Sequence, residues 1–259
     1  LCNRIWQVTK EEADSITFSY DSPDGDMGFG GNMHIDVTYT VRDGAMVVDY
    51  HAKADEDTIF NPTNHSYFNL KGHGEGDVLD HSLIVYADEM TFADEESVPD
   101  GTIRKVSGTP FDFTGEKRIG DEIDADYDMM NFGHGYDHNF VLRGDTDEVA
   151  KAYTRTKPDF GKDGKSGTLQ RAATLFAPDH SLSVCVYTDL PGVQVYTGNF
   201  IEDGSKGKDG RTYCRRGGVA IETQYYPNAM NIPSFPQPVI RANEDFYSRT
   251  VYKIDAPTA

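Results

Sequence analysis

The sequence has few cysteines, and this scarcity excludes some classes of protein. Its 259 residues include only Cys2, Cys185 and Cys214, an odd and sparse set that does not suggest a disulfide framework. Because no CxxC pair occurs, a structural zinc site is not expected. No apolar run is long enough to span a bilayer, and no signal peptide is visible at the N-terminus. We therefore expect a reduced, cytoplasmic protein.

Basic residues are also scarce. The chain has 24 Lys and Arg against 43 Asp and Glu, which gives a formal net charge of −19. Such a surface repels phosphate backbones and anionic lipid heads, so neither nucleic acid nor a membrane surface is an expected partner. A phosphorylated substrate gains nothing from this charge, whereas a neutral sugar meets no such repulsion. The simpler explanation of the acidity is solubility.

No segment keeps a helical period in its apolar residues. Apolar and polar side chains alternate instead, with a period of two residues. Residues 16–20 and 33–41 alternate apolar with polar side chains, and the Asp43-Gly44 pair that follows is a hairpin signal. Further strands are predicted at 45–53, 82–87, 168–176, 182–188, 192–197, 218–224 and 246–254. This spacing indicates antiparallel sheets packed face to face, or a barrel.

The remaining segments fit one all-β domain over residues 1–259, since no linker divides the chain. Hydrophobic residues make up 37% and charged residues 26%, which is typical of a globular protein. The stretch 120–130 predicts either one short helix or an acidic surface excursion. The Gly/Lys/Asp-rich stretches 157–167 and 202–211 predict loops, and Pro178-Asp179-His180 predicts a hairpin.

The segment 61–70 places His65 among two asparagines, a serine and a tyrosine. Each of these side chains needs a hydrogen-bond partner once it leaves water, and a pocket for a polyhydroxylated molecule would supply one. Histidine titrates near neutrality and can donate or accept a proton at working pH. The alternative is a structural histidine, which is the commoner role of a lone one.

Two carboxylates occupy unusual positions. Asp137 lies between aromatic residues in the segment 135–140, where a carboxylate is destabilising unless a polar ligand or donor meets it. Its alternative role is to accept backbone amides in a turn. Glu222 ends an apolar strand in the segment 218–227, and partial burial there would suit a general base. The alternative is an outward-facing strand residue.

The segment 191–200 carries hydrogen-bonding groups on or just after a predicted strand, namely Gln194, Tyr196 and Asn199. Amide side chains beside an aromatic ring suit the O–H and C–H faces of a sugar. The alternative is a strand with ordinary alternation of side chains. The segment therefore indicates a sugar-binding surface without establishing one.

Four segments together resemble the galactose mutarotase (aldose 1-epimerase) family, in the family's order. They are Asn-His-Ser-Tyr-Phe-Asn-Leu at 64–70, Tyr-Asp-His-Asn-Phe at 136–140, Pro-Gly-Val-Gln-Val-Tyr-Thr-Gly-Asn at 191–199 and Glu-Thr-Gln at 222–224. Stretches at 22–32, 108–113 and 246–252 are also similar, so the resemblance spans nearly the whole chain. It implies a large antiparallel β-sandwich of the mutarotase type.

The family also carries an N-terminal portion, with a Gly-Arg segment and a His-Gly-Gly segment, that has no equivalent in this sequence. The resemblance therefore implies a sandwich whose N-terminal strands are missing. Because absent strands expose sheet edges, and such edges pair with other chains, a homo-oligomer is expected as one outcome.

By the same resemblance, the activity is the interconversion of the α and β anomers of free aldoses such as galactose and glucose. Glu222 would act as general base on the anomeric hydroxyl while His65, as general acid, protonates the ring oxygen, and the ring opens. The resemblance implies a monosaccharide substrate and no cofactor or metal. It assigns sugar binding to Asp137, and we extend the predicted substrate-binding set to Asn64, Tyr67, Gln194 and Asn199.

Three alternatives stay open on the sequence. The first is a non-catalytic carbohydrate-binding protein that keeps the binding groups. The second is a β-sandwich glycoside hydrolase in which Glu222 and Asp137 flank the scissile bond. The third is a hexose-phosphate epimerase, for which Arg215 and Arg216 would supply local basic groups.

Overall fold

Antiparallel strands dominate the computed structural model, which describes residues 1–154 and 167–256. In chain order the strands are β1 (Gln7–Glu11), β2 (Ser15–Ser22), β3 (Met33–Arg42), β4 (Ala45–Ala54), β5 (Thr58–Ile59), β6 (Tyr67–Phe68), β7 (Ser82–Val85), β8 (Glu89–Ala93), β9 (Pro99–Lys105), β10 (Lys117–Arg118), β11 (Asp137–Val141), β12 (Gln170–Phe176), β13 (Ser183–Thr188), β14 (Gly192–Tyr196), β15 (Val219–Gln224), β16 (Val239–Ile240) and β17 (Asp245–Asp255). The helices of the described part are α1 (Asp128–Gly133) and α2 (Glu148–Tyr153).

The strands form two large sheets and one small one. The larger sheet has nine strands in the order β1-β2-β3-β4-β17-β13-β12-β7-β10, and the second has six in the order β6-β15-β14-β11-β8-β9. β16 and β5 form a separate pair. The antiparallel all-β prediction is confirmed.

All nine predicted strands are present, and the hairpin between β3 and β4 turns at the predicted dipeptide. Asp43 and Gly44 both have positive φ, at 51° and 69°, as a two-residue turn of the I′ type requires. The predicted hairpin at Pro178-Asp179-His180 joins β12 to β13. The other eight strands of the described residues were not predicted, and the longer ones among them are β1, β8, β9 and β11.

The helical prediction at 120–130 overlaps the structure only at its ends. A 3₁₀ turn spans Ile119–Asp121, and α1 begins at Asp128. Helix α2 was not predicted; its N-cap is Asp147, whose side chain accepts the Ala150 N–H at 2.8 Å. The loop predicted at 157–167 lies, apart from Gly167, outside the described residues.

The main core lies between the two large sheets. Val193, Val195 and Ile221 of the six-stranded sheet are fully buried there. From β17 of the nine-stranded sheet, the Tyr252 hydroxyl donates to the Ile221 carbonyl at 3.3 Å. Since side chains alternate along a strand, the other face of the six-stranded sheet is left for polar groups. Of the described helices, none has the length and apolar character needed to cross a membrane.

Candidate active site

The candidate site lies on the face of the six-stranded sheet that points away from this core. Gln194 of β14 pairs with Glu222 of β15, and Asp137 of β11 pairs with Tyr196 of β14. Cross-strand partners share a face, and so do residues two apart on one strand. The register therefore brings these four side chains together from segments far apart in sequence.

His65 reaches this face from the segment that precedes β6. Its Nε2 lies 3.5 Å from Oε1 of Glu222. The two side chains differ in environment, because that of His65 is 48% exposed and that of Glu222 is 10% exposed. An imidazole at the mouth thus faces a carboxylate at the floor, which suits proton transfer at two points of one small molecule.

The segment carrying His65 is fixed by its asparagines. Asn61 exchanges two hydrogen bonds with the backbone of Tyr225, donating to the carbonyl at 3.1 Å and accepting the N–H at 2.9 Å. Asn64 donates to the Tyr39 hydroxyl at 3.4 Å. These contacts tie the segment to both large sheets and set the position of His65 over Glu222.

Two tyrosines flank the imidazole. The ring centroid of His65 lies 5.0 Å from that of Tyr67 and 5.9 Å from that of Tyr196. Burial raises the pKa of Tyr67 to about 12, so its phenol stays protonated near neutral pH and can donate a hydrogen bond. The Tyr196 hydroxyl accepts the backbone N–H of Phe200 at 3.0 Å, which fixes the ring that packs edge-on against His65.

The carboxylates of the site are hard to ionise. Burial raises the pKa of Glu222 to about 7; the positive charge of His65 opposes this shift and the neighbouring Asp137 adds to it. Burial also raises the pKa of Asp137, while the hydrogen bond from Gln194 and the charge of His65 lower it. A base with a pKa near the working pH is efficient because it is both available and basic enough.

Gln194 binds one of the two carboxylates and keeps one polar atom free for a ligand. Its Nε2 donates to Oδ1 of Asp137 at 2.8 Å. Its Oε1 is buried, and no described residue donates to it. A buried acceptor without a partner is destabilising, so a sugar hydroxyl that donated to this oxygen would be favoured.

Asn199 lies outside this cluster. Its carboxamide donates to the carbonyls of Gly133 and Tyr136, both at 2.9 Å, and accepts the Thr197 hydroxyl at 2.7 Å. The residue is 4% exposed. This amide therefore holds the loop that leads into Asp137, and the geometry does not favour the predicted contact between Asn199 and sugar.

A cavity of about 800 Å³ opens beside the site. Asn64 and His65 form one of its walls. The inner face of β2, β3 and β4 contributes an apolar wall through Phe18, Ile35, Val37 and Tyr50. Ligand pockets commonly have this size and a mostly apolar lining with few polar groups. The cavity therefore adjoins the site at the segment that carries His65.

Some residues that shape the site were not predicted from the sequence. Tyr196 was noted as a hydrogen-bonding group but not assigned to the site, although its two-residue spacing from Gln194 places both on one face. Tyr39 and the anchoring role of Asn61 had no local signal, since their partners lie on distant strands. Among the described residues, no cluster of His, Cys, Asp and Glu has a metal-binding arrangement.

Comparison with known sequences gives one consistent result. The family model for aldose 1-epimerase matches residues 2–253. Galactose mutarotase from Rattus norvegicus is 36% identical over 241 residues, covering 93% of this chain and 63% of its own length. Aldose 1-epimerase from Escherichia coli is 35% identical over 256 residues, covering 98% and 67%.

Solved structures agree with the sequence comparison. An aldose epimerase homologue from C. elegans superposes with a TM-score of 0.78 at 27% identity, covering 98% of this chain and 70% of that one. Galactose 1-epimerase from Lactobacillus acidophilus gives 0.76 at 25% identity, covering 98% and 68%. The chain spans less than two thirds of the length of the mammalian relatives, as the rat enzyme's 63% illustrates.

Proposed function

The chain belongs to the aldose 1-epimerase family, and from this premise we propose that it interconverts the α and β anomers of free aldoses such as galactose and glucose. The observation that carries the proposal is the approach of His65 Nε2 to Glu222 Oε1 at 3.5 Å, on a face that also presents Asp137 and Gln194. An isomerase of this kind needs one acid and one base at neighbouring oxygens of a pyranose, and this pair supplies both.

The reaction proceeds in two proton transfers. Ionised Glu222 takes the proton of the anomeric hydroxyl, and protonated His65 gives one to the ring oxygen, so the C1–O5 bond breaks and an aldehyde forms. Rotation about the C1–C2 bond and reversal of the transfers give the other anomer. The positive charge of His65 lowers the pKa of Glu222 against the larger effect of burial, and each positioned transfer contributes roughly 10²–10⁴-fold.

The other polar groups hold the sugar. Asp137 accepts hydroxyl protons, while the free Oε1 of Gln194 accepts one more. Tyr67 lies beside His65 with a protonated hydroxyl and offers a donor. Asn64 supports the segment that carries His65. We assign Asn199 a role behind the site, in the loop before Asp137.

A neutral substrate is favoured over a sugar phosphate. Arg216 is buried and forms a two-bond pair with Asp124, while Arg215 donates to the carbonyls of Asn199 and His134. Both guanidinium groups thus have partners within the protein. The net charge of −19 adds a general repulsion of phosphate.

The experiment is polarimetry on freshly dissolved α-galactose and α-glucose. We expect the protein to accelerate the approach to equilibrium, and His65→Ala to lower the rate at least 100-fold. The matched control is His73→Ala, which removes an exposed histidine bonded to Tyr213 and should leave the rate unchanged. A buffer-level rate with measurable sugar affinity would indicate the non-catalytic alternative, and release of sugar from a glycoside would indicate a hydrolase.

A further inference from the structure

A row of aromatic rings leads outward from the acid/base pair. Tyr67 is 47% exposed and Phe200 is 62% exposed, while Tyr196 is buried. The Tyr196 ring contacts both neighbours, at centroid distances of 6.1 Å to Tyr67 and 6.4 Å to Phe200. The row therefore begins at His65 on the site and ends in solvent.

Phe200 is presented in a way that suits a flat ligand. Its ring lies nearly parallel to Tyr196, at 23°, so one face is covered. The His134 ring lies nearly perpendicular to it, at 84° and a centroid distance of 5.6 Å. Since Phe200 is 62% exposed, much of its ring outside these two contacts meets water. A large apolar ring that packs on the protein on one side and is exposed elsewhere is a candidate binding surface.

The rim of this surface carries polar groups. Arg215 donates through its guanidinium to the His134 carbonyl at 3.0 Å, and its backbone N–H donates to Asp203 at 2.8 Å. Both His134 and Arg215 are exposed. An aromatic face bordered by hydrogen-bonding groups matches a pyranose, which has an apolar C–H face and a hydroxyl rim.

The orientation of the reducing sugar determines which part of a larger ligand contacts this surface. Glu222 lies deeper than His65, at 10% against 48% exposed, so with the anomeric hydroxyl and ring oxygen at this pair the far side of the reducing ring extends toward solvent. Tyr67 and Phe200 are the exposed members of the aromatic row that leads from the pair toward solvent. A substituent on the far side of the reducing ring would therefore lie over the aromatic row.

We propose that Phe200, with Tyr67 and Tyr196, forms a subsite for the second pyranose ring of a reducing disaccharide. The inference rests on the proposed function, because the reducing ring must occupy the site of His65 and Glu222. The second ring packs its C–H face on Phe200 and directs hydroxyls to His134 and Arg215. Phe200 is thus a specificity-determining residue that contacts the disaccharide and not the monosaccharide.

The test compares α-lactose with α-glucose, which share the same reducing ring. We expect Phe200→Ala to lower kcat/KM for α-lactose by roughly 3- to 10-fold and to change that for α-glucose by less than twofold. The backbone N–H that supports Tyr196 is retained in this variant. Phe200→Tyr keeps the ring and should restore the lactose rate. The control is Ile103→Ala, which truncates another exposed apolar residue, 42% exposed and on the far edge strand β9.

Equal effects of Phe200→Ala on both sugars, or no effect on either, would overturn the subsite and leave the proposed function intact. If neither sugar mutarotates faster than in buffer, the proposed function fails, and the subsite is then judged by calorimetry alone. Tighter binding of lactose than glucose, lost in Phe200→Ala and kept in Phe200→Tyr, would support it. Equal affinities for the two sugars would refute it.

Discussion

Glu222 determines how the proposed reaction depends on pH. The group must be ionised to accept the anomeric proton, and burial raises its pKa to about 7. We therefore predict that kcat/KM rises with pH through a limb centred near 7 instead of near 4.5, where an ordinary glutamate titrates. Polarimetry from pH 5 to 8 checks this.

Two glutamate variants separate this effect from a general change in charge. Glu222→Gln should lower the rate at least 100-fold and remove the rising limb. Glu244→Gln, at an exposed position, should keep both the rate and the limb. A wild-type profile that is already flat between pH 5 and 8 would show that Glu222 is not the base.

Substitution of Asn199 tests whether its amide is structural or binds the sugar. Its removal leaves the carbonyls of Gly133 and Tyr136 without the donor they have now. We predict that Asn199→Ala lowers the free energy of unfolding by about 2–4 kcal/mol, measured by urea denaturation, while KM of the folded fraction changes less than twofold. Asn231→Ala, in an exposed turn, serves as the control. A large rise in KM without loss of stability would restore the sugar-binding role.

The roles of some site residues could be predicted from the sequence, and those of others could not. His65, Asp137 and Glu222 attract notice because each is ionisable in a local context that burial or a ligand must explain. Asn199 lies in a similar context, yet its partners are backbone carbonyls of a loop more than 60 positions away. Local sequence contains no information on such partners, so ligand and structural amides look alike.

At the scale of elements, the long strands were predictable and several shorter ones were not. β3 and β4 alternate cleanly because one face is buried. β1 is exposed at every position, and β9 begins Pro-Asp-Gly, so neither has a buried face that imposes a pattern. These strands exist because a neighbour offers free backbone groups, which is a tertiary effect.

The segment 61–65 is the element on which the geometry of the pair depends. Asn61 holds it through the two bonds to the Tyr225 backbone. We predict that Asn61→Ala lowers kcat/KM roughly tenfold, because a small displacement of an acid/base group is costly in rate. Polarimetry with a urea titration checks this, and Asn231→Ala is again the control. An unchanged rate would mean that the strands alone position His65.

At the scale of the whole molecule, the net charge affects which substrates are turned over. A net charge of −19 repels anionic substrates, and salt screens that repulsion. We predict that glucose 6-phosphate, which has the same reactive ring as glucose, is turned over at least about tenfold less efficiently at low salt. The gap should narrow at about 0.5 M salt, where the Debye length is short.

Glucose itself provides the control, since its rate should not depend on salt. Polarimetry of both sugars at two ionic strengths is sufficient. Equal efficiency for the two sugars at low salt would indicate a local basic site that offsets the overall charge.

Two expectations at this scale stay predictions. The nine-stranded sheet ends at β1, whose five residues are all exposed, and such an edge is available for pairing with a second copy. Homo-oligomer formation through this edge, like a cytoplasmic location, follows from the sequence argument alone. Neither is needed for the chemistry of the site.

The central claim is that His65 and Glu222 act together on one sugar ring. NMR exchange spectroscopy of glucose measures it directly, through the rate that links the α and β anomeric proton signals at equilibrium. We predict that His65→Ala, Glu222→Gln and the double variant lose similar factors, because removing either partner disables the same step. Single variants that keep the wild-type rate, or a double loss equal to the product of the single ones, would contradict the claim.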